Sequence, residues 1–475
     1  MQASRGKTGL MAAAGRVYQT GSGGTIYGGR FSNSLLDLIA AAPANSWVQL
    51  NQNTLNSVWA PPDYVPIYVS GPGDTTAVMR AWSGFGWDAK RSRLILYGGG
   101  HANYDGNEVY VFDAQTRRWS LGLYPTDVKE WDLTKAERIT MDGPLRSPVS
   151  AHTYDNNGYL EVLDRFITFG GAAAHVGGAY QIHGDGPSRN AGPYTLDLSL
   201  AGRGMVGGLS DTNVKRGTSA GVSLAGAQAW SMRDYYKDHP DPNGVLRFLP
   251  EHISCGTAYT VENGHDVVYI TSRPGLHLHR IEFVDSDYRN DLISRAGNAG
   301  NNPPQWDNTV ALDPENRVIL IMGDVLSGTH FWGWDISGPP KDNFLVKSGG
   351  LTGPGVTAWL AAFSNKHGLD YDSVNRRFVM WSEGGQVFAI KHLDGALNVN
   401  WYIEELRPNT GTAGVDRPKT RAELDAEPVG IYSKSDSATL GKWKWAKDLN
   451  AFVGLQHNYN GNVWVYKPSN WVRPA

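Results

Sequence analysis

Residues 98–113 read GGGHANYDGNEVYVFD, with Trp119 following. The C-terminus repeats the phrase: residues 456–466 read QHNYNGNVWVY, with Trp471 following. Both copies carry Asn-Tyr-x-Gly-Asn (Asn103 to Asn107, Asn458 to Asn462), then an alternating aromatic strand, then a Trp. A phrase that recurs at opposite ends of a chain, with looser copies between, marks a fold built from repeated small sheets.

The looser copies share an Asp in a turn, often an Arg, and a short apolar strand. They begin at Asp88, Asp164, Asp266, Asp313, Asp372 and Asp448, and the strands include Arg93–Tyr97, Arg165–Phe169, Arg317–Met322 and Arg377–Trp381. Four to six nearly all-apolar residues between polar turns fit a strand covered on both faces, and are too short for a helix. Second strands follow at Glu108–Asp113, Thr329–Ile336, Gln386–Ile390 and Asn462–Tyr466. Six such units predict an all-β chain forming a single β-propeller. The repeat is lost between Ala201 and Pro250, which reads as an insertion on one rim, with a seventh, degenerate blade as the alternative.

The strand-Gly-Gly pair, the aromatic outgoing strand and the closing Trp resemble kelch repeats, and so the galactose-oxidase class of propellers. The resemblance is closest at 80–120, looser at 148–171 and 362–404, and fainter elsewhere. It implies a fold, not a function. The copper chemistry of galactose oxidase requires a Cys-linked Tyr and a Tyr-His ligand pair. Here Cys255 is the sole cysteine and no Tyr-His dipeptide occurs. No redox cofactor is therefore expected, and no metal.

Composition agrees. Gly makes up 57 of 475 residues, well above the usual share of ~7%, and 17 Trp with 22 Tyr supply flat side chains for packing between blades. Lys+Arg 43 against Asp+Glu 46 gives a net charge of −3 without a basic run, so nucleic-acid binding has no electrostatic footprint. No apolar stretch reaches the length of a membrane span. Cys255 reads as a small buried hydrophobe.

Residues 1–44 read as a non-core leader or anchor, with one short amphipathic helix around Leu35–Ile39 and no secretory signal; the propeller is placed at 45–475. Within Asn45–Asn51, Trp47-Val48-Gln49-Leu50 resembles a blade's closing strand. It is expected to complete the blade of Phe452–Leu455 and Asn462–Tyr466, because one end of a propeller chain commonly seals the ring begun by the other.

Candidate functional residues lie at the heads of the repeats. His101, His152, His175, His367 and His457 sit beside Gly-rich strand ends or at the start of a blade's first strand, with Arg80, Asn103, Tyr104, Arg146 and Tyr154 in the same segments. Trp82, Trp306, Trp359 and Trp443 fall at or just before first strands, amid polar or small residues. An indole beside Asn, Asp and Arg can stack on a sugar ring and bond its hydroxyls. Arg80, Trp82, His101, Asn103, Tyr104, His152, Trp306, His367 and Trp443 are thus the expected ligand-binding set. These features suit a non-catalytic, carbohydrate-binding propeller displayed on a larger particle. A bacteriophage fibre, spike or decoration protein that meets host surface polysaccharide at the virion surface, or outside the cell after lysis, fits them. Its leader would then join other virion proteins. The alternative is a polysaccharide lyase or hydrolase on the same scaffold, using His101, Tyr104, His152 and Arg146.

Overall fold

The computed structural model describes residues 34–474 except 70, 72, 81, 100–103, 133–136, 173–180, 183–188, 191, 203, 210–215, 217–222, 233–252, 273–276, 285–286, 296–306, 324–328, 339–341, 364–365, 408–415 and 428–437, with a further hairpin at Gly15–Thr20 and Gly24–Gly29. Six antiparallel blades surround one axis. From axis to rim, blade 1 holds Phe85–Asp88, Arg93–Tyr97, Val109–Asp113 and Arg118–Leu123. Blade 2 holds Asn157–Leu160, Arg165–Thr168, Tyr194–Leu196 and Trp230–Met232. Thr257–Glu262, His265–Ser272, His277–Val284 and Asp287–Arg295 form blade 3. Blade 4 is Thr309–Asp313, Val318–Met322, Thr329–Asp335 and Asp342–Lys347. In blade 5, Gly368–Asp372, Arg377–Trp381, Val387–His392 and Trp401–Glu405 are edged by a parallel Leu351–Thr352.

Blade 6 is composite. Trp443–Ala446, Ala451–Gln456 and Asn462–Lys467 take Ser46–Gln49 as their outer strand, with Trp47 opposite Tyr466. The expected closure is therefore present. Trp47 also enters an aromatic cluster with Trp381 (5.1 Å), Trp443 (5.4 Å) and Tyr466 (5.1 Å), and donates its indole N–H to Gly385 O. Packing reaches upstream of residue 45. The helix Leu35–Ala41, capped by Ser34 and Asp37, buries Leu35 and Ile39 in the core beside blades 1 and 6. Residues 1–33, and with them any anchoring role, lie outside the described side chains.

The recurrent Asp explains the repeat. Asp88, Asp313 and Asp372 each accept backbone N–H bonds from residues two and three ahead, which shapes the turn between the first two strands. Asp448 and Asp266 instead reach a neighbouring blade: Asp448 of blade 6 accepts from Trp87 Nε1 (2.7 Å) and Ser92 Oγ (2.6 Å) of blade 1, and Asp266 of blade 3 from the turn amides of Val162 and Leu163 of blade 2. One residue type thus serves as turn former and as staple between blades. The Gly-rich part of 201–226 is inserted between the third and fourth strands of blade 2, which accounts for the first part of the lost repeat, while 233–250 lies outside the described residues; the described strands make six blades. Cys255 is fully buried.

Candidate binding site at the axial mouth

Each innermost strand starts at the same end of the axis, here the upper face. The turns on the lower face between first and second strands are short (89–92, 161–164, 263–264, 314–317, 373–376, 447–450). The connections between blades are long in sequence, at 50–84, 124–156, 233–256, 296–308, 348–367 and 406–442, and the described residues that end them lie on the upper face. Long loops on a rigid scaffold are where recognition residues concentrate.

The last residues of these connections interlock around the axis. Tyr154 N bonds Trp82 O (2.7 Å), Thr257 N bonds Asp155 O (3.1 Å) and Asn308 N bonds Ser254 O (2.9 Å). Thr439 N bonds Lys366 O (3.3 Å), and Phe85 N bonds Gly441 O (3.2 Å). The belt turns sharply in five of the six lead-in segments, and left-handed residues supply the change of direction: Trp82 (φ 44°), Tyr154 (46°), Ser254 (59°), Asp307 (53°) and Ala438 (45°). For bulky Trp and Tyr that conformation is strained, at a cost of about 1–3 kcal/mol each. Gly441 permits the close approach: a Cβ there would meet Tyr154 O at 2.0 Å.

Trp82 spans the mouth. It leaves blade 1 and donates its indole N–H to Asp307 Oδ1 of the opposite blade 4 lead-in at 2.8 Å. The His152 ring stacks on it at 5.3 Å and 29°, Tyr154 lies tilted at 6.3 Å, and Lys366 Nζ stands 5.6 Å from the ring centre. Tyr154, Ala172, Ile253 and Leu440 form an apolar floor beneath. Below that floor lies a charged layer. Lys444 Nζ meets Asp155 Oδ1 at 2.5 Å, Thr309 Oγ1 donates to Asp155 Oδ2 (2.8 Å), and Asp370 Oδ2 accepts Trp445 N (2.6 Å). Burial raises the Asp155 and Asp370 carboxyls, and the Lys444 ammonium opposes that rise in both. The axis is therefore a filled core with a decorated mouth.

Of the expected residues, Trp82 and His152 are brought together, and half-buried Arg80 ends the short helix Thr76–Met79 two positions before Trp82. Arg146 is exposed in a turn of the 124–156 connection. His101, Asn103, His175 and Trp306 lie outside the described residues. Three expectations are corrected. Trp443 is 1% exposed, stacked on Phe452 at 4.6 Å and 1°, with its N–H on Val379 O. The neighbouring Gly368 leaves the space it fills: a Cβ there would come within 2.4 Å of Trp443 Cβ. Tyr104 is buried against Trp59 and donates its hydroxyl to Glu108 Oε1 (2.7 Å). His367 is buried beside Phe363, and desolvation pushes its imidazole down to about 3, so it stays neutral at working pH. Trp359, on the helix Val356–Ala362, is likewise core. Asp307 belongs to the expected rim segment Trp306–Asn308 without a role of its own, and Lys366 was not expected; both are ordinary polar residues until the ring closes and brings them to Trp82.

Glu108 is a second buried titratable group. Its Oε1 accepts from Tyr104 and Tyr110, while Oε2 has no hydrogen-bond partner among the described residues, and burial pushes the carboxyl up to about 7. The folded state holds this proton more tightly than the unfolded chain, so the group's contribution to stability falls as pH rises from about 4.5 to 7 and then levels. Over that window the loss amounts to roughly 3 kcal/mol. Glu108→Gln should remove this part of the pH dependence, and denaturant melts of both proteins at pH 4.5 and 8 read it directly. Parallel pH profiles would contradict the assignment.

No family model matches the chain, and no curated protein matches it. Among solved structures, a subtype N11 neuraminidase-like protein of A/flat-faced bat/Peru/033/2010 (H18N11) is similar at 11% identity and a TM-score of 0.24, over 77% of this chain and 93% of that one. A likeness that slight carries no argument. Fold and site together define the class: a six-bladed β-propeller with an aromatic and cationic cluster at one axial mouth. Among the described residues no helix is long and apolar enough to cross a membrane.

Proposed function

We propose that the upper face is a glycan-binding surface centred on Trp82, and that the chain is a kelch-like recognition propeller. The observation that carries this reading is the half-buried indole of Trp82, held in strained backbone across the mouth by Asp307, with His152 and Lys366 against its ring. Backbone strain concentrates where a side chain must be presented, and a fixed indole ringed by hydrogen-bonding groups suits a pyranose ring. A single aromatic stack is worth about 1–3 kcal/mol, by comparison with bases on aromatic side chains. One site is then weak, and adhesion calls for many copies on one particle. A phage fibre or spike carrying host-polysaccharide receptors is such a particle.

The test is binding of a multimerised propeller to bacterial surface polysaccharide. Trp82→Ala should lose about 5- to 150-fold in affinity, the range that corresponds to the stack. Arg376→Ala, an exposed lower-face change, should bind like the parent. Equal binding by a folded Trp82→Ala protein would reject the site. Shortening of the polysaccharide by the parent would replace the binding reading with an enzymatic one.

A further inference from the structure

We infer that residues 57–69 form a strap latched by Glu108, closed while that carboxyl is protonated and released when it ionises. The inference is independent of the Trp82 reading. It starts from the repeated phrase, whose two tyrosines grip the same connection. Tyr459 holds both ends of the strap: its hydroxyl accepts from Asn56 Nδ2, and its carbonyl accepts from Thr75 Oγ1 (3.1 Å). Tyr104 lies under the strap's body. Trp59 packs on Tyr104 (5.8 Å) and stacks on Tyr110 (5.4 Å, 12°), and Ala60 N donates to the Tyr110 hydroxyl (3.3 Å). The Gly of each copy makes room: a Cβ at Gly106 would come within 2.6 Å of Glu108 Oε2, and one at Gly461 within 2.7 Å of Leu55 Cβ.

The copies differ at the residue that follows them. Asn462 is followed by Val463, which is fully buried, and Asn107 by Glu108, which is 1% exposed. The turn itself therefore does not require an acid there. Glu108 Oε1 is held by the two hydroxyl groups whose rings bear the strap, and Oε2 has no hydrogen-bond partner among the described residues. Burial raises this carboxyl, the Tyr104 and Tyr110 hydroxyls oppose the rise, and the Asp105 charge adds to it; none of these groups is a cation. Trp59 and Ala60 bring no charge from the strap, and Tyr124 acts on Tyr110 from behind. Further along, Arg216 donates to Tyr64 O and Pro125 O beside Asp127, and Tyr64 stacks on Tyr124 (5.1 Å). A carboxylate with an unsatisfied oxygen in an aromatic bed is costly. Lifting the strap admits water to it without opening a blade, and local openings of this kind cost less than global unfolding.

The sign follows from the two states. The closed strap keeps the proton up to about pH 7 and an exposed glutamate up to about 4.5, so opening grows tenfold per pH unit between those values and levels above. The experiment is hydrogen exchange of the full chain at pH 4.5, 6 and 8, corrected for intrinsic rates. Protection of the Trp59, Ala60, Tyr64 and Val65 amides should fall about 100-fold from pH 4.5 to 8. At each pH these amides should exchange faster than those of Leu94 to Leu96 in the strand beneath. Glu108→Gln should hold strap protection level across the range. If that variant does not fold, Tyr104→Phe serves instead: with one donor fewer the carboxyl rises, so protection should go on falling above pH 7. A parent strap equally protected at pH 4.5 and 8, or exchanging only as slowly as Leu94 to Leu96, would overturn the latch. So would a parent-like profile in Glu108→Gln or Tyr104→Phe, or loss of the fall in Asp127→Asn, which would place the titrating group at the Arg216 end.

Discussion

A chain lacking residues 1–52 should lose its cooperative unfolding transition, while one lacking only 1–33 should melt like the parent. Ser46–Gln49 is the outer strand of blade 6, and its removal bares the edge of Asn462–Lys467 and takes Trp47 out of the aromatic cluster. A buried Trp replaced by Ala typically costs about 3–5 kcal/mol, a large fraction of the ~5–15 kcal/mol that holds a domain together. The strand's backbone bonds and Leu35 and Ile39 of the preceding helix are lost as well. A cut after residue 40 should therefore also destabilise, though less, because it removes the helix and spares the strand. Thermal melts of the three truncations at equal concentration check the order. Equal midpoints for the cuts at 33 and 52 would refute closure through this strand.

The second large effect lies on the axis. Lys444→Met should destabilise the ring by about 3–5 kcal/mol, the usual cost of leaving a buried charge without its partner. Asp155 would keep Thr309 but lose its ammonium, with Asp370 nearby. Its carboxyl would then rise further, so the variant should regain stability as pH falls and the acid takes up a proton. Asp155→Asn added to Lys444→Met should recover much of the loss, since the pair is removed together. Urea titrations of the single and double variants at pH 5 and 8 measure this. A single variant as stable as the parent at pH 8 would show that the axial layer contributes nothing.

The blade plan was legible because its cause is local. An Asp that bonds the amides two and three residues ahead forms the same turn wherever it occurs, and the strand behind it is apolar because blades cover both its faces. Trp47 at the seam could be read for the same reason, since an aromatic strand out of phase with the repeat needs a blade to complete. The site was only partly legible. Trp82 and Trp443 have similar local surroundings, yet one spans the mouth and the other is core. The difference lies in the neighbouring blade: the space left by Gly368 receives Trp443, while Asp307 and Lys366 meet Trp82 only across the axis. Tyr104 followed the motif correctly but turned inward to Glu108, a buried acid that no spacing reveals. The lysines of Gly441-Lys442-Trp443-Lys444-Trp445 carried a missed signal, because alternating cations on an innermost strand have the axis to face.

The place where a glycan touches the ring is the most direct test of a binding site at the mouth. Hydrogen exchange of the full chain, with and without a polysaccharide it retains, locates that contact. Protection should gather in the lead-in segments around Trp82, His152 to Tyr154, Asp307 and Lys366, and leave the lower turns 89–92, 314–317 and 373–376 unchanged. Protection of those lower turns, or of the blade rims with the mouth unaffected, would contradict it.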